Sequence, residues 1–124
     1  KFLVDDAYNA NPASMTASLE TFNKINLPGK IAVLGEMREL GEDALKYHAD
    51  LESLLENLDC VVLTGGTWRE AMKDNKKFIF ADTWQEALEA VKNFMNENEY
   101  HGILVKGSHS IGLENVVNAI SVSN

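Results

Sequence analysis

The run Lys30-Ile31-Ala32-Val33-Leu34 is apolar after its first residue and contains two β-branched side chains. A short continuous run of this kind is typical of a strand that is buried on both faces of a parallel sheet. Similar runs occur at residues 2–4, 60–64, 77–80 and 102–105. The sequence therefore predicts five strands, each covered on both faces.

Helical patterns lie between these runs. Asn11-Pro12 predicts a helix start, with Asn as the cap and Pro at the first position, and Thr83 with Glu86 predicts a capping box. Apolar stripes at helical spacing include Met15, Leu19 and Phe22; Ala44, His48, Leu51, Leu55 and Leu58; Trp84, Ala87, Leu88, Val91 and Met95; and Leu113, Val116, Val117 and Ile120. A shorter helix is expected near residues 68–72.

Alternating strands and helices predict an α/β fold, because parallel strands need a crossover connection. We expect a three-layer Rossmann-like domain with a mostly parallel sheet of five or six strands flanked by helices. Its 124 residues suit a single domain, residues 1–124.

Composition excludes several functions. The net charge of -8 argues against a nucleic-acid surface and against binding to an anionic membrane. A single cysteine, Cys60, excludes an internal disulfide framework, and the three histidines show no metal-binding spacing. No apolar run approaches a membrane span and no signal-peptide pattern opens the chain, so we expect a cytoplasmic protein.

Ligands of open α/β sheets bind beyond the carboxyl ends of the strands. The loop after the first run reads Asp5-Asp6-Ala7-Tyr8-Asn9-Ala10-Asn11-Pro12. Its carboxylates can accept hydrogen bonds from ribose hydroxyls, and its amides and phenol can contact a base. The alternative is a capped turn. For Asn11 alone the cap is favoured, whereas the whole stretch favours binding.

Two further loops are polar. Gly35, Glu36, Met37 and Arg38 form either a wall that faces a substrate or a long loop with solvated charges. Lys106, Gly107, Ser108 and His109 form either an anion site before a helix or a glycine-rich turn with a surface lysine. This last loop lacks the spacing of a Walker A motif. His48 lies on an apolar stripe, which favours a buried, satisfied side chain over a catalytic base.

Three stretches resemble the C-terminal domain of the Mur ligases. They are Asp5-Asp6-Ala7-Tyr8-Asn9-Ala10-Asn11-Pro12, Val33-Leu34-Gly35-Glu36-Met37 followed by Glu39-Leu40-Gly41, and Val105-Lys106-Gly107-Ser108. The resemblance covers essentially the whole chain in order, and the Tyr-Asn-Ala-Asn-Pro stretch is its most specific part. His48 also fits the pattern.

The resemblance implies a three-domain, ATP-dependent enzyme with Mg²⁺ that forms an amide bond between UDP-MurNAc-tripeptide and D-Ala-D-Ala in peptidoglycan precursor synthesis. It implies that this domain closes on a central ATPase domain, which carries the phosphate loop, the metal ligands and the catalytic residues. No catalytic residue or metal ligand is therefore expected here. The isolated domain is expected to be inactive.

The resemblance also implies roles for individual residues. Those near the nucleotide would be Asp5, Asp6, Tyr8, Asn9 and Asn11. Those facing the acceptor would be Gly35, Glu36, Met37, Arg38, Lys106, Gly107, Ser108 and His109. Members of the family often carry Arg where this chain has His109.

A second interpretation is a stand-alone nucleotide-binding or regulatory α/β module. It would share the fold and the polar loops but need no partner domain. An NAD-dependent enzyme is disfavoured, because no Gly-x-Gly-x-x-Gly follows the first strand.

Overall fold

The sheet has five strands in the part of the chain that the computed structural model describes, residues 2–6, 10–107 and 111–123, with backbone alone at 5, 6, 122 and 123. The strands are β1 (Phe2–Asp6), β2 (Lys30–Leu34), β3 (Cys60–Thr64), β4 (Ile79–Ala81) and β5 (Gly102–Lys106). Their spatial order is β1-β5-β2-β3-β4, and every pair is parallel. The predicted α/β class is confirmed.

Among the described residues, six helices accompany the strands, with a short 3₁₀ turn at Gly41–Asp43. They are α1 (Pro12–Asn23), α2 (Ala44–Ala49), α3 (Glu52–Leu55), α4 (Gly66–Ala71), α5 (Trp84–Glu97) and α6 (Leu113–Ser123). Both predicted caps are present: Asn11 accepts the N–H of Ser14, and Thr83 accepts that of Glu86. In the described part of the chain, no helix combines the length and apolar character needed to cross a bilayer.

Helices cover both faces of the sheet. Helices α1 to α4 pack on one face, in a cluster that includes Leu19, Leu34 and Trp68. Helices α5 and α6 pack on the other, in a cluster that includes Val33, Val91 and Val116. The three predicted layers are therefore observed.

The structure differs from the sequence prediction at the sheet edges. Strands β2, β3 and β5 are buried throughout, whereas Val4 in β1 and Ile79 in β4 are exposed because each lies in an edge strand. Strand β1 continues to Asp6, so the backbone of both aspartates of the first motif belongs to the strand.

The single helix predicted after β2 is divided into α2 and α3. The N–H of Leu51 bonds to the carbonyl of His48, three residues back, which tightens the backbone between the two helices.

A buried lysine begins β2. The Lys30 side chain is 7% exposed, and its Nζ donates to the carbonyls of Phe22, Asn23 and Ile25 at 3.2, 3.3 and 2.7 Å. These carbonyls lie at the end of α1, where helix acceptors lack intrahelical donors. Lys30 therefore has a structural role, at the end of the sheet opposite the predicted site.

Candidate functional site

The three motif loops leave the sheet from adjacent strands. Asp6, the last residue of β1, pairs in register with Lys106 at the end of β5, and Lys106 pairs in turn with Leu34 at the end of β2. Residues at least 28 positions apart thus form one row, and the loops after β1, β2 and β5 begin side by side.

At this row, neighbouring strands lead to helices on opposite faces of the sheet. The chain leaves β1 and β2 toward the face covered by α1 to α4, but it leaves β5 toward the face covered by α6. Neighbouring strands whose helices go to opposite faces leave a crevice between their loops, which is the usual ligand position in open α/β sheets.

Two glycines bring the second and third loops into backbone contact. The N–H of Gly35 donates to the carbonyl of Lys106 at 2.8 Å, which continues the β2–β5 ladder past the strands. Gly107 has φ of +146°, and a Cβ there would lie 2.3 Å from the nitrogen of Gly35. Only glycine fits this approach.

Glu36 is held by the loop after β3. Its carboxylate accepts a hydrogen bond from the Thr67 hydroxyl at 2.7 Å, and it fills the space where Gly65 would carry a Cβ. Glu36, which was predicted to face the acceptor substrate, is therefore fixed by residues about 30 positions away.

His48 and Trp68 contact the backbone of the same loop from the protein interior. His48 is fully buried, and its Nε2 accepts the N–H of Met37 at 3.0 Å while its Nδ1 lies 2.7 Å from the carbonyl of Ala44. The imidazole is therefore neutral, with its proton on Nδ1. Trp68 meets the ring edge-on at 4.5 Å and donates its indole N–H to the carbonyl of Gly35 at 2.8 Å.

The neutral state of His48 predicts a loss of stability in acid. Burial lowers the pKa of His48 below its usual 6.5, although the Ala44 carbonyl and the charge of Glu36 oppose the shift. The unfolded chain binds a proton near that pH and the folded chain does not. The contribution to stability is therefore complete above about pH 6.5 and is lost as the pH falls through the folded pKa.

Urea unfolding between about pH 7.5 and pH 5 measures this effect. We expect the free energy of unfolding to decrease more steeply for the native sequence than for His48→Gln, because glutamine does not titrate. Equal decreases would assign the acid sensitivity to other residues.

The residues predicted to face the acceptor substrate differ in exposure. Met37 and Lys106 are 3% and 1% exposed, and the Met37 side chain packs in the core. Arg38 is exposed and Glu36 is half-buried. Ser108 and His109 lie outside the described residues.

The first motif is described in part. Asp5 and Asp6 end β1, where their backbones pair in register with Val105 and Lys106 of β5. Tyr8 and Asn9 lie outside the described residues. Asn11 is exposed and caps α1, with Oδ1 accepting the Ser14 N–H at 2.9 Å. The cap predicted from the sequence is confirmed, and a nucleotide contact by Asn11 stays a prediction.

Sequence reasoning did not predict that Thr67 or Trp68 contacts the loop after β2. Both contact the Gly35–Met37 segment from more than 30 positions away. No spacing rule reports such a pairing. The only available signal was that Gly65 and Gly66 follow the end of a strand.

The chain is similar in sequence to known Mur ligases. A family model described as "Mur ligase, glutamate ligase domain" matches residues 1–109. The UDP-N-acetylmuramoyl-tripeptide--D-alanyl-D-alanine ligase of Buchnera aphidicola subsp. Acyrthosiphon pisum is 33% identical over 123 residues, covering 94% of this chain and 26% of that protein.

Two crystal structures are similar over the same region. MurF from Acinetobacter baumannii superposes with a TM-score of 0.81 and 31% identity, covering 94% of this chain and 26% of that one. MurF ligase from Thermotoga maritima, in complex with ADP, superposes with a TM-score of 0.75 and 26% identity, covering 94% and 27%. The chain thus spans about a quarter of the length of these relatives.

Proposed function

Because the chain belongs to the Mur ligase family, we propose that residues 1–124 are the C-terminal domain of an ATP-dependent ligase that joins D-Ala-D-Ala to UDP-MurNAc-tripeptide. The observation that carries this proposal is the row formed by Asp6, Lys106 and Leu34. It makes the three motif loops begin side by side, and the relatives of this chain include ligases named for that reaction. Such an enzyme would act in the cytoplasm in peptidoglycan precursor synthesis.

The first motif suits the nucleoside part of ATP. The carboxylates of Asp5 and Asp6 can accept hydrogen bonds from ribose hydroxyls, and Tyr8, Asn9 and Asn11 can contact the base. A related ligase has been crystallised with ADP, which supports a nucleotide site in the whole enzyme.

The triphosphate requires a different set of residues. The cations in the motif loops that the structure describes are Lys106, which is 1% exposed, and Arg38, which is exposed. Mg²⁺ bound with ATP would neutralise charge on the transferred phosphoryl group. We assign its ligands and the phosphate loop to the central domain.

The second and third loops suit the acceptor. The segment Gly35, Glu36, Met37 and Arg38 is rigidly held beside Lys106 and Gly107, and the third loop continues through Ser108 and His109. Together they would hold D-Ala-D-Ala while its amine attacks the activated tripeptide. A rigid wall reduces the entropy lost when two substrates are aligned.

The domain would act by closing on the central ATPase domain. A site divided between two domains is complete only when they meet. Closure also excludes water, which would otherwise hydrolyse an activated carboxyl group.

The isolated chain tests this division. We expect purified residues 1–124 to release no phosphate from Mg·ATP above a buffer control, because phosphoryl transfer depends on groups assigned to the central domain. The full-length enzyme should release phosphate only when both UDP-MurNAc-tripeptide and D-Ala-D-Ala are present, and it should form UDP-MurNAc-pentapeptide, identified by mass.

Titration calorimetry separates this function from the stand-alone module. The divided site predicts weak or undetectable ATP binding by the isolated chain, since its net charge of -8 repels an anion. A dissociation constant in the low micromolar range would indicate a complete nucleotide site and would favour the module.

A further inference from the structure

The segment Gly35–Met37 is fixed at every residue. Gly35 donates its N–H to the Lys106 carbonyl and accepts the indole N–H of Trp68 at its own carbonyl. Glu36 accepts from Thr67, and Met37 donates its N–H to His48. These four contacts come from three separate elements, β5, α4 and α2.

The contacts from His48 and Trp68 are alike: both come from buried rings and both reach the loop backbone. Both side chains are 0% exposed, so neither can touch a substrate. Each directs one ring nitrogen at the loop backbone, and the rings pack edge-on at 4.5 Å with an interplanar angle of 85°. Each ring therefore restricts the other, and the pair forms one rigid support.

The two rings hold the backbone directly before an exposed residue of the loop. Arg38, directly after the fixed segment, is exposed. A shift of the Met37 amide would move the start of this exposed part of the loop, and small displacements of a binding wall are costly in catalysis.

We propose that His48 and Trp68 are positioning residues that hold the Gly35–Met37 backbone in the conformation needed to bind the acceptor dipeptide. This inference rests on the proposed function and assigns a role to two buried side chains that do not touch substrate. It requires the hydrogen bond from Met37 to His48 Nε2 and not merely a side chain that fills the space.

Two substitutions at one position separate these possibilities. In His48→Gln the amide oxygen can reach the position of Nε2 and accept the Met37 N–H. In His48→Asn the shorter side chain can replace only Nδ1. Both variants remove the ring and its contact with Trp68, so the difference between them isolates the bond to Met37.

Steady-state kinetics of the full-length enzyme provide the readout. We expect His48→Asn to raise the KM for D-Ala-D-Ala at least about fivefold, the effect of one lost hydrogen bond, with the KM for ATP within about twofold of the native value. His48→Gln should restore the acceptor KM to within about twofold. A purely structural role would reduce stability without separating the two KM values.

Trp68→Phe provides a second test that does not depend on the folding of His48→Asn. It retains a large ring but removes the indole N–H, and we expect the acceptor KM to rise while the ATP KM is unchanged. Equal acceptor KM values for His48→Asn and His48→Gln, parallel changes in both substrates, or an unchanged acceptor KM in Trp68→Phe would overturn the inference. A native enzyme that does not consume D-Ala-D-Ala would overturn the proposed function with it.

Discussion

A Gly107→Ala substitution is expected to destabilise the isolated chain by about 3 kcal/mol or more. The φ of +146° at this position is unfavourable for any residue with a Cβ. The added Cβ would also lie 2.3 Å from the nitrogen and 2.4 Å from the Cα of Gly35. Relief requires backbone movement, which would break the hydrogen bond from Gly35 to Lys106.

Gly66→Ala is the matched control. Gly66 has no positive φ, and a Cβ added there would meet no neighbouring group within 4 Å, so the same substitution adds a methyl group to open space. We expect its free energy of unfolding in urea to stay within about 0.5 kcal/mol of the native value. If Gly107→Ala matched Gly66→Ala, the loops after β2 and β5 would not make the close approach described above.

In the full-length enzyme, Lys106→Met is expected to slow ligation at least about tenfold, because loss of the buried ammonium would displace the loops that begin at the row. Lys106 lies in the centre of the row, between Asp6 and Leu34, at the start of the third motif loop. Methionine retains most of the length and the apolar stem of lysine, so the substitution removes mainly the charge.

Stability must be measured with activity in this variant. Because Lys106 is 1% exposed, loss of its ammonium should also lower the free energy of unfolding by about 1.5–3 kcal/mol. Rates are therefore compared at a temperature where the variant is folded. Lys92→Met, at an exposed position of α5, is the control and should alter neither quantity. A folded Lys106→Met enzyme with a native rate would show that Lys106 is only structural.

Helix starts and buried strands could be predicted from the sequence because they depend on neighbours in the chain. Asn11 with Ser14, and Thr83 with Glu86, lie three residues apart, and a capping box involves no other part of the protein. The extents of β2 and β3 were likewise predictable, since an unbroken apolar run has few alternatives. Local spacing failed where a distant partner decides exposure, as at Val4 and Ile79 in the edge strands.

The sequence by itself determined the α/β class, the three polar loops and their family resemblance, because each depends on residue types at short spacing. Only the tertiary structure decided that β5 lies between β1 and β2, so that these loops begin side by side. It alone brought His48 and Trp68 beneath Gly35 and Met37. Strand order and ring contacts arise from the packing of whole elements against one another, and the free energy of that packing is not encoded in any short stretch of the chain.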